Sequence, residues 1–210
     1  NAVKQYTEEN ADFHQIVADM ANIPRKQAKT INLGLSYGMG KEKLVKELGL
    51  DDTEAEKLFQ QYHAKVPFIR ALQDQCARVA MERGYIKTFA GRRCRFDLWE
   101  SRYERTLPLP LEEAREKYGD DLKRSYTYKA LNRLIQGSAA DMTKLAMIGL
   151  WEEGIVPHLQ VHDEVDISIE NTEQANTVTR IMENCVELAV PLLVDQELGT
   201  SWGETKEIKT

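Results

Sequence analysis

The sequence predicts an α+β fold in which helices dominate the first part and antiparallel strands appear later. Apolar residues recur at helical spacing through most of residues 8–83, and glycine or proline interrupts them at intervals. The pattern changes to alternation at Tyr85–Phe96 and again at Leu159–Ile169. Ala90 with Gly91 interrupts the first alternating segment and polar His162–Glu164 the second, so both are predicted to form hairpins.

Each predicted helix has a start or stop signal, such as Pro24 in a first turn or Gly84 after a last turn. From 97 to 123 the pattern is poorer, and we expect a loop or acidic insertion with a helical stretch at Leu111–Tyr118. A last short strand is predicted at Pro191–Val194. The predicted helices are Glu8–Ala21, Pro24–Gly38, Lys41–Leu48, Asp52–Val66, Pro67–Arg83, Tyr126–Glu153 and Glu173–Leu188.

The longest predicted helix, Tyr126–Glu153, carries a broad apolar face that we expect to be buried. Its members are Leu131, Leu134, Ile135, Ala139, Met142, Leu145, Ala146 and Ile148.

The composition is that of a globular protein, with 210 residues, 42% hydrophobic and 30% charged. One large domain or two intimate subdomains are both compatible with this length. No apolar run reaches the roughly 20 residues that cross a bilayer, so we expect a soluble protein without a membrane partner. Three scattered cysteines without CxxC spacing favour a reducing cytoplasm and no structural zinc.

The net charge of −6 argues weakly against a nucleic-acid partner, but the cations are unevenly distributed. Residues 25–46 hold six cations against one acid, while 83–95 and 123–133 hold cations and no acid. This pattern fits a basic cleft within an acidic body, and it also fits ordinary solvated helix faces.

A stripe of four residues runs along the predicted helix at 24–38: Arg25, Lys29, Leu33 and Tyr37. Steps of four residues drift by only about 40° in an α-helix, so these side chains share one face. Two cations one turn apart could grip a triphosphate, although an exposed helix face is the more common explanation of such a pair. Gly34 beside the stripe suggests a close approach by a ligand or by backbone.

Two further features could carry chemistry. Asp163, at the bend of the second hairpin, offers the hard oxygen that Mg²⁺ prefers, although such a residue is usually only part of a turn. Asn132 and Gln136 lie one turn apart on the long helix, and their amides could read minor-groove acceptors or satisfy hydrogen bonds of the protein.

Three strings resemble family A DNA polymerases, the DNA polymerase I type, and occur in the same order as in that family. They are RKQAKTINLGLSYG, LNRLIQGSAAD and QVHDEV, supported by DFH, GYIKTFAGRR and VPLLV. The resemblance spans nearly the whole chain. It implies template-directed DNA synthesis, in which a deoxynucleotidyl group passes from a dNTP to a primer 3′-hydroxyl by a two-metal mechanism. It also implies a mostly helical fingers subdomain and a partial palm with an antiparallel sheet. The fingers would cover residues 1–125, with the insertion at about 97–123, and the palm residues 126–210.

The resemblance assigns the dNTP to the helical stripe. Lys29 would contact the triphosphate and protonate the leaving pyrophosphate, while Arg25 grips the γ-phosphate and His14 touches the same phosphates. Leu33 stands where the family commonly has an aromatic ring on the nucleotide sugar. Tyr37 resembles the tyrosine that occupies the templating position before the fingers close.

The resemblance assigns DNA contacts and metal binding to the later segments. Asn132 and Gln136 would contact primer and template. The family usually has Arg where this chain has Tyr128, and Lys129 stands beside it as a candidate DNA contact.

In the second hairpin, Asp163 would be the metal-binding and catalytic aspartate, and His162 would lie near the primer terminus. Glu164 would be an accessory catalytic carboxylate.

The resemblance also implies something that this chain lacks. The two-metal mechanism needs a second aspartate, which the family carries in a motif resembling DYSQIELR, and no such string occurs here. We therefore expect a fragment or one half of a split enzyme, nearly inactive alone. Its partners would be primer-template DNA, dNTP, two Mg²⁺ ions and an upstream portion with the first palm aspartate and the thumb.

Two alternatives remain open at this stage. The pair His162 and Asp163 could belong to a metal-dependent phosphohydrolase, and the incomplete site fits a noncatalytic DNA-binding module. The long acidic insertion, together with Leu33, favours a phage-type enzyme, and we expect the cytoplasm of a bacterial or phage-infected cell.

Overall fold

The computed structural model describes residues 12–37, 39–65 and 67–207. Within them, long helices and small antiparallel sheets confirm the predicted α+β class. In chain order the elements are α1 Phe13–Ala21, α2 Arg25–Ser36, α3 Lys41–Leu48, α4 Asp52–Lys65, α5 Pro67–Arg83, β1 Tyr85–Lys87, β2 Arg93–Arg95, β3 Leu98–Ser101, β4 Leu109–Pro110, α6 Leu111–Tyr118, β5 Leu122–Arg124, a 3₁₀ turn Thr127–Lys129, α7 Ala130–Glu152, β6 Leu159–Val161, β7 Glu164–Asp166, α8 Thr172–Glu183, β8 Glu197–Leu198, a 3₁₀ turn Trp202–Glu204 and β9 Lys206–Glu207. The start of the first predicted helix, at 8–11, lies outside the described residues.

The chain divides into two compact units. The first unit is Asp12–Gln136, and the described part of the second is residues 137–207. The division falls within α7. A boundary after residue 125, and the assignment of the two parts to fingers and palm, remain predictions.

The core of the first unit is built on α2, which has two chemically different faces. Ala28, Ile31 and Leu35 are buried, whereas Arg25 and Lys29 on the other side are exposed. The buried face packs against α1 and two later helices; the buried members of this cluster there are Val17, Ala18, Leu44, Leu58 and Tyr62. Burial of this apolar stripe holds α2 in place and leaves its cationic face in solvent.

A second core of the first unit joins α5, the β1–β2 hairpin and the start of α7. Its buried members are Cys76, Ala80, Ile86, Phe96, Ala130 and Leu131.

Arg124 stabilises this region through two hydrogen bonds. Its Nη1–H donates to the Phe96 carbonyl at 2.9 Å and its Nε–H to the Met81 carbonyl at 3.2 Å. Gly84 has φ +76° beside this guanidinium, where an added Cβ would lie 2.7 Å from Arg124 Cζ.

The prediction of a loop at 97–123 was wrong in part. The segment forms a three-stranded antiparallel sheet of order β4-β3-β5, with α6 packed on it. Only the helix at Leu111–Tyr118 was predicted correctly. The strands are two to four residues long, too short for an alternating pattern, and the sheet is supported by a contact distant in sequence. The Arg124 guanidinium lies 4.4 Å from the centre of the Trp99 ring, across the β3–β5 pair.

The predicted strand at Pro191–Val194 was also wrong. The Val194 N–H donates to a carboxylate oxygen of Glu183 at 3.2 Å rather than to a strand, and the pairing at this end is between β8 and β9. Helix α8 ends at Glu183, five residues before the predicted end at Leu188.

The apolar face predicted on α7 is only partly buried. Leu131 and Ala146 are buried, but Ile135, Leu145 and Ile148 are 42%, 36% and 54% exposed. Among the described residues, no helix is both long enough and apolar enough to span a membrane.

Candidate nucleotide, DNA and metal sites

The predicted nucleotide residues lie in the first unit, on and beside α2. Arg25 and Lys29 are exposed one turn apart, and Leu33, one turn further, is 42% exposed. The backbone N–H of Tyr37 donates to the Leu33 carbonyl at 3.1 Å, so Tyr37 closes the last turn of the helix. The structure therefore places these residues along one side of α2, as the spacing predicts.

Arg25 is anchored by an ion pair with Asp12, in which the Arg25 Nε lies 2.6 Å from Asp12 Oδ2. Asp12 also caps α1, because its Oδ1 accepts the N–H groups of His14 at 2.9 Å and Gln15 at 3.1 Å. The hydrogen bond from Arg25, followed by the one from the Gln15 N–H, lowers the pKa of Asp12 below its ordinary value. One carboxylate thus orients both the helix that carries His14 and the guanidinium of Arg25.

His14 is joined to α2 through Asn32. The Asn32 Nδ2 lies 3.0 Å from His14 Nδ1, and the Tyr62 hydroxyl donates to Asn32 Oδ1 at 2.9 Å. Tyr62 is only 2% exposed, and burial raises its pKa to about 12. The imidazole is thereby held at the side of the cationic helix.

The close approach expected at Gly34 is made by a side chain of the protein. An added Cβ at Gly34 would lie 2.5 Å from the terminal methyl of Met39. Met39 packs against the first core, so the glycine lets the chain after α2 return onto the helix.

The predicted DNA-contacting residues at the start of α7 differ in their surroundings. Lys129 Nζ lies 4.7 Å and 5.6 Å from the ring centres of Tyr126 and Tyr128. Asn132 is half-buried and Gln136 is exposed on the same side one turn later.

A neighbouring cation, Arg133, serves the fold. Its Nη1 donates to the Arg95 carbonyl at 2.8 Å, and its guanidinium lies 4.5 Å from the centre of the Phe96 ring.

The second unit carries the predicted catalytic carboxylates in the β6–β7 hairpin. Val161 pairs with Glu164, so His162 and Asp163 form a two-residue loop. His162 has φ +57°, in the left-handed region that favours glycine, and such strained residues often mark functional sites. Asp163 is exposed at the tip.

Two neighbours constrain the hairpin from outside. Thr143 of α7 donates its hydroxyl to the His162 carbonyl at 3.5 Å, and the Trp202 indole N–H donates to Glu164 Oε1 at 3.1 Å. The Glu164 carboxylate is therefore held by the 3₁₀ turn Trp202–Glu204.

The carboxylates of the hairpin suit Mg²⁺ by chemistry, since both are hard oxygen donors. Within the described residues, however, no three His, Cys, Asp or Glu side chains converge as a group that could hold a metal ion. That Asp163 takes part in a metal site stays a prediction.

Four contributors to these sites were missed in the sequence: Asp12, Asn32, Tyr62 and Trp202. Asp12 and Asn32 lie inside strings that resemble the polymerase family, so their positions carried a signal. Tyr62 follows the apolar period of α4 and cannot be distinguished by pattern from any core aromatic residue. Trp202 is 38 residues from its partner Glu164, and no local pattern connects them.

The fold is that of a nucleic-acid polymerase domain. The structure matches the POL domain of Pol1 from M. smegmatis, solved in complex with DNA primer-template and dNTP, with a TM-score of 0.69 and 27% identity. The match covers 90% of this chain and 34% of that chain.

The chain belongs to DNA polymerase family A, whose family model matches residues 2–204. It is 36% identical to the DNA-directed DNA polymerase of Pseudomonas phage M6 over 96% of this chain, and 35% identical to the thermostable DNA polymerase I of Thermus aquaticus over 95%. It spans 32% and 24% of those two proteins, respectively.

Proposed function

We propose that this chain supplies the nucleotide-gripping helix and one metal-binding aspartate of a template-directed DNA polymerase in a bacterial or phage-infected cell. The reaction transfers a deoxynucleotidyl group from a dNTP to a primer 3′-hydroxyl. The observation that carries this proposal is the exposed cationic face of α2, with Arg25 and Lys29 one turn apart and His14 held beside the same helix.

The three side chains suit a triphosphate. The Asp12 contact uses Nε of Arg25, so the terminal nitrogens of its planar fork can grip the γ-phosphate. Lys29 places an ammonium group one turn further along and can protonate the departing pyrophosphate. His14 adds a hydrogen bond to the same oxygens. Leu33 offers an apolar surface for the sugar, and Tyr37 lies at the templating end of the face.

A matched pair of lysines tests the triphosphate site. Lys26 and Lys29 are both exposed on α2, but Lys26 lies off the stripe. We expect Lys29→Ala to weaken dATP binding by about tenfold or more, measured by calorimetry, and Lys26→Ala to leave it nearly unchanged. Equal effects of the two substitutions on dATP binding would mean that the nucleotide is bound only by general attraction to positive charge.

We assign the DNA contacts to two parts of the chain. Lys129, Asn132 and Gln136 contact primer and template from α7, with the two amides suited to minor-groove acceptors. His162 lies at the hairpin tip, where the primer terminus would approach the metal. Because phosphate contacts release counterions, DNA binding should weaken steeply as salt is raised.

Mg²⁺ binding involves Asp163 directly, and Glu164 contributes as an accessory carboxylate oriented by Trp202. When bound, Mg²⁺ at these carboxylates would supply the charge that activates a primer 3′-hydroxyl and stabilises a departing pyrophosphate. We assign the second aspartate to a further polypeptide portion, which also provides the thumb. The coverage of 32% of the phage M6 enzyme supports this division.

The burial pattern of the second unit supports the proposal that a further polypeptide portion packs against it. Both core clusters of buried residues belong to Asp12–Gln136. Described residues of the second unit expose large apolar side chains, and a contiguous surface of this kind usually marks an interface. They are Leu145, Ile148, Trp151, Val156, Leu159, Val161, Leu188, Leu193 and Trp202.

Mixing experiments test the proposed division. Alone, the chain should show no primer extension, because one metal-binding aspartate provides too little stabilisation of the transition-state charge. Addition of the palm and thumb portion should restore synthesis. Robust extension by the chain alone would contradict the incomplete site.

A further inference from the structure

A chain of hydrogen bonds links three helices of the first unit behind the proposed phosphate site. The Tyr62 hydroxyl on α4 donates to Asn32 Oδ1 on α2 at 2.9 Å. The Asn32 Nδ2 lies 3.0 Å from Nδ1 of His14 on α1. These three residues form the Tyr62–Asn32–His14 relay.

The relay fixes the direction of each hydrogen bond. A side-chain amide nitrogen carries two hydrogens and accepts no hydrogen bond, so a close ring nitrogen must act as the acceptor. In the structure, Asn32 Oδ1 faces the Tyr62 hydroxyl and accepts its hydrogen, which leaves Nδ2 to face the histidine. His14 Nδ1 then carries no hydrogen, and a neutral His14 carries its proton on Nε2.

Burial makes Tyr62 a dependable anchor. Its side chain is among the largest fully buried ones, at 2% exposure, so water does not compete for its hydroxyl. Burial also raises the pKa of Tyr62 to about 12, and the hydroxyl keeps its proton at any pH at which DNA is synthesised.

We infer that Asn32 and Tyr62 are positioning residues that hold His14 as the Nε2–H tautomer, with that N–H free to donate to an anionic phosphate oxygen. This inference rests on the proposed function, because the phosphate is that of the incoming nucleotide. Arg25 and Lys29 supply charge, whereas His14 supplies one neutral hydrogen bond of fixed direction. In the reversed arrangement, His14 would direct its Nδ1–H toward Asn32 and the lone pair of Nε2 toward the phosphate. That lone pair would repel the phosphate oxygen.

Long-range ¹H–¹⁵N NMR of the histidine-labelled chain tests the tautomer directly. The chain has four histidines, and His14→Gln identifies the His14 signals. At a pH where His14 is neutral, we expect Nδ1 to show the shift of an unprotonated ring nitrogen and Nε2 that of a protonated one. The opposite pattern in the unsubstituted chain overturns the inference.

Two substitutions separate positioning from a general structural role. Asn32→Asp replaces the amide donor with a carboxylate acceptor of the same shape, so His14 should switch to the Nδ1–H tautomer. Tyr62→Phe keeps the ring and removes the anchor, which should give a mixture of tautomers and about two- to tenfold weaker dATP binding. Folded variants, checked by circular dichroism, that keep the original tautomer would contradict the relay.

The same samples distinguish failure of the relay from failure of the proposed function. Addition of dATP to the unsubstituted chain should shift the Nε2–H signal of His14. The wrong tautomer, with dATP binding that still depends on Lys29, overturns the relay and leaves the function standing. The expected tautomer with no response to dATP overturns the assignment of His14 to the phosphates.

Discussion

Asp12 holds Arg25 by an ion pair of 2.6 Å while it caps the helix that carries His14. The contact uses Nε of Arg25, and it sets the direction of the guanidinium. Removal of the charge should therefore weaken dNTP binding through loss of preorganisation. For Asp12→Asn, we expect dATP binding up to about fivefold weaker by calorimetry, the upper range for an exposed pair.

The matched control is Asp12→Ala. Asparagine keeps an oxygen that can cap α1, whereas alanine removes the cap as well and should also lower the stability measured by urea unfolding. Tighter dATP binding by Asp12→Asn would show that repulsion between the Asp12 carboxylate and the phosphates outweighs the positioning of Arg25.

The ionisation of Asp12 predicts a specific acid response. Because the pKa of Asp12 is lowered in the folded chain, first by the Arg25 hydrogen bond, its contribution to stability is complete above the unfolded pKa. That contribution is lost as pH falls through the lowered pKa of the folded state. The ¹³C shift of the Asp12 carboxyl should therefore titrate below the ordinary range of an aspartate. In Arg25→Gln the titration should move upward, and an unchanged midpoint would contradict the ion pair.

Leu33 should set how the enzyme treats altered sugars. In the proposed site, the exposed aliphatic side chain of Leu33 would offer a nucleotide sugar a surface without ring stacking. We expect Leu33→Phe, in the reconstituted enzyme, to change both nucleotide affinity and the ratio of dideoxynucleotide to deoxynucleotide incorporation. Since Leu33 is 42% exposed, stability should change little. An identical ratio of dideoxynucleotide to deoxynucleotide incorporation by both enzymes would contradict the assignment of Leu33 to the sugar site.

His162 occupies a strained backbone position at the hairpin tip. Its φ of +57° is strained for a residue with a Cβ. His162→Gly should raise the free energy of unfolding by up to about 1 kcal/mol, since relief of strain exceeds the added flexibility of glycine. His162→Ala removes the ring but keeps the strain, so it should not gain stability. Equal stability of both variants would show that the turn is unstrained.

Two glycines with positive φ separate backbone strain from steric contact. Gly84 and Gly91 have φ of +76° and +87°, but only at Gly84 would an added Cβ meet a side chain, that of Arg124. We expect Gly84→Ala to lower the free energy of unfolding by at least about 1 kcal/mol more than Gly91→Ala. Substitution of Arg124→Met in the Gly84→Ala background should recover part of the added loss. Equal losses at both glycines would contradict the steric role of Arg124.

Elements of the fold were predictable where the pattern that specifies them lies within adjacent residues. The helix Lys41–Leu48 was predicted to the residue, because its apolar period ends at Gly49 in the left-handed region. The sheet in residues 97–124 was missed because its strands are short and pair across the chain, with Trp99 opposite Arg124, 25 residues later. The same limit applies to the site.

The stripe of Arg25 and Lys29 follows from helix geometry alone. The link from Tyr62 through Asn32 to His14 requires three helices to pack before any of its hydrogen bonds exist. A sequence motif can predict which residue contacts a ligand. The residue that orients that side chain can be identified only once the packing of the helices is known.

Primer extension with Asp163 substituted is the most direct test of the central claim, which is metal-assisted addition of a deoxynucleotide to a primer. The chain is mixed with the palm and thumb portion, and extension with Mg²⁺ is measured for the unsubstituted chain, Asp163→Ala and the control Asp166→Ala in the same hairpin. We predict synthesis by the unsubstituted mixture, a loss of about a hundredfold or more with Asp163→Ala, and little change with Asp166→Ala. Full synthesis by Asp163→Ala would contradict the assignment of this chain to the catalytic centre.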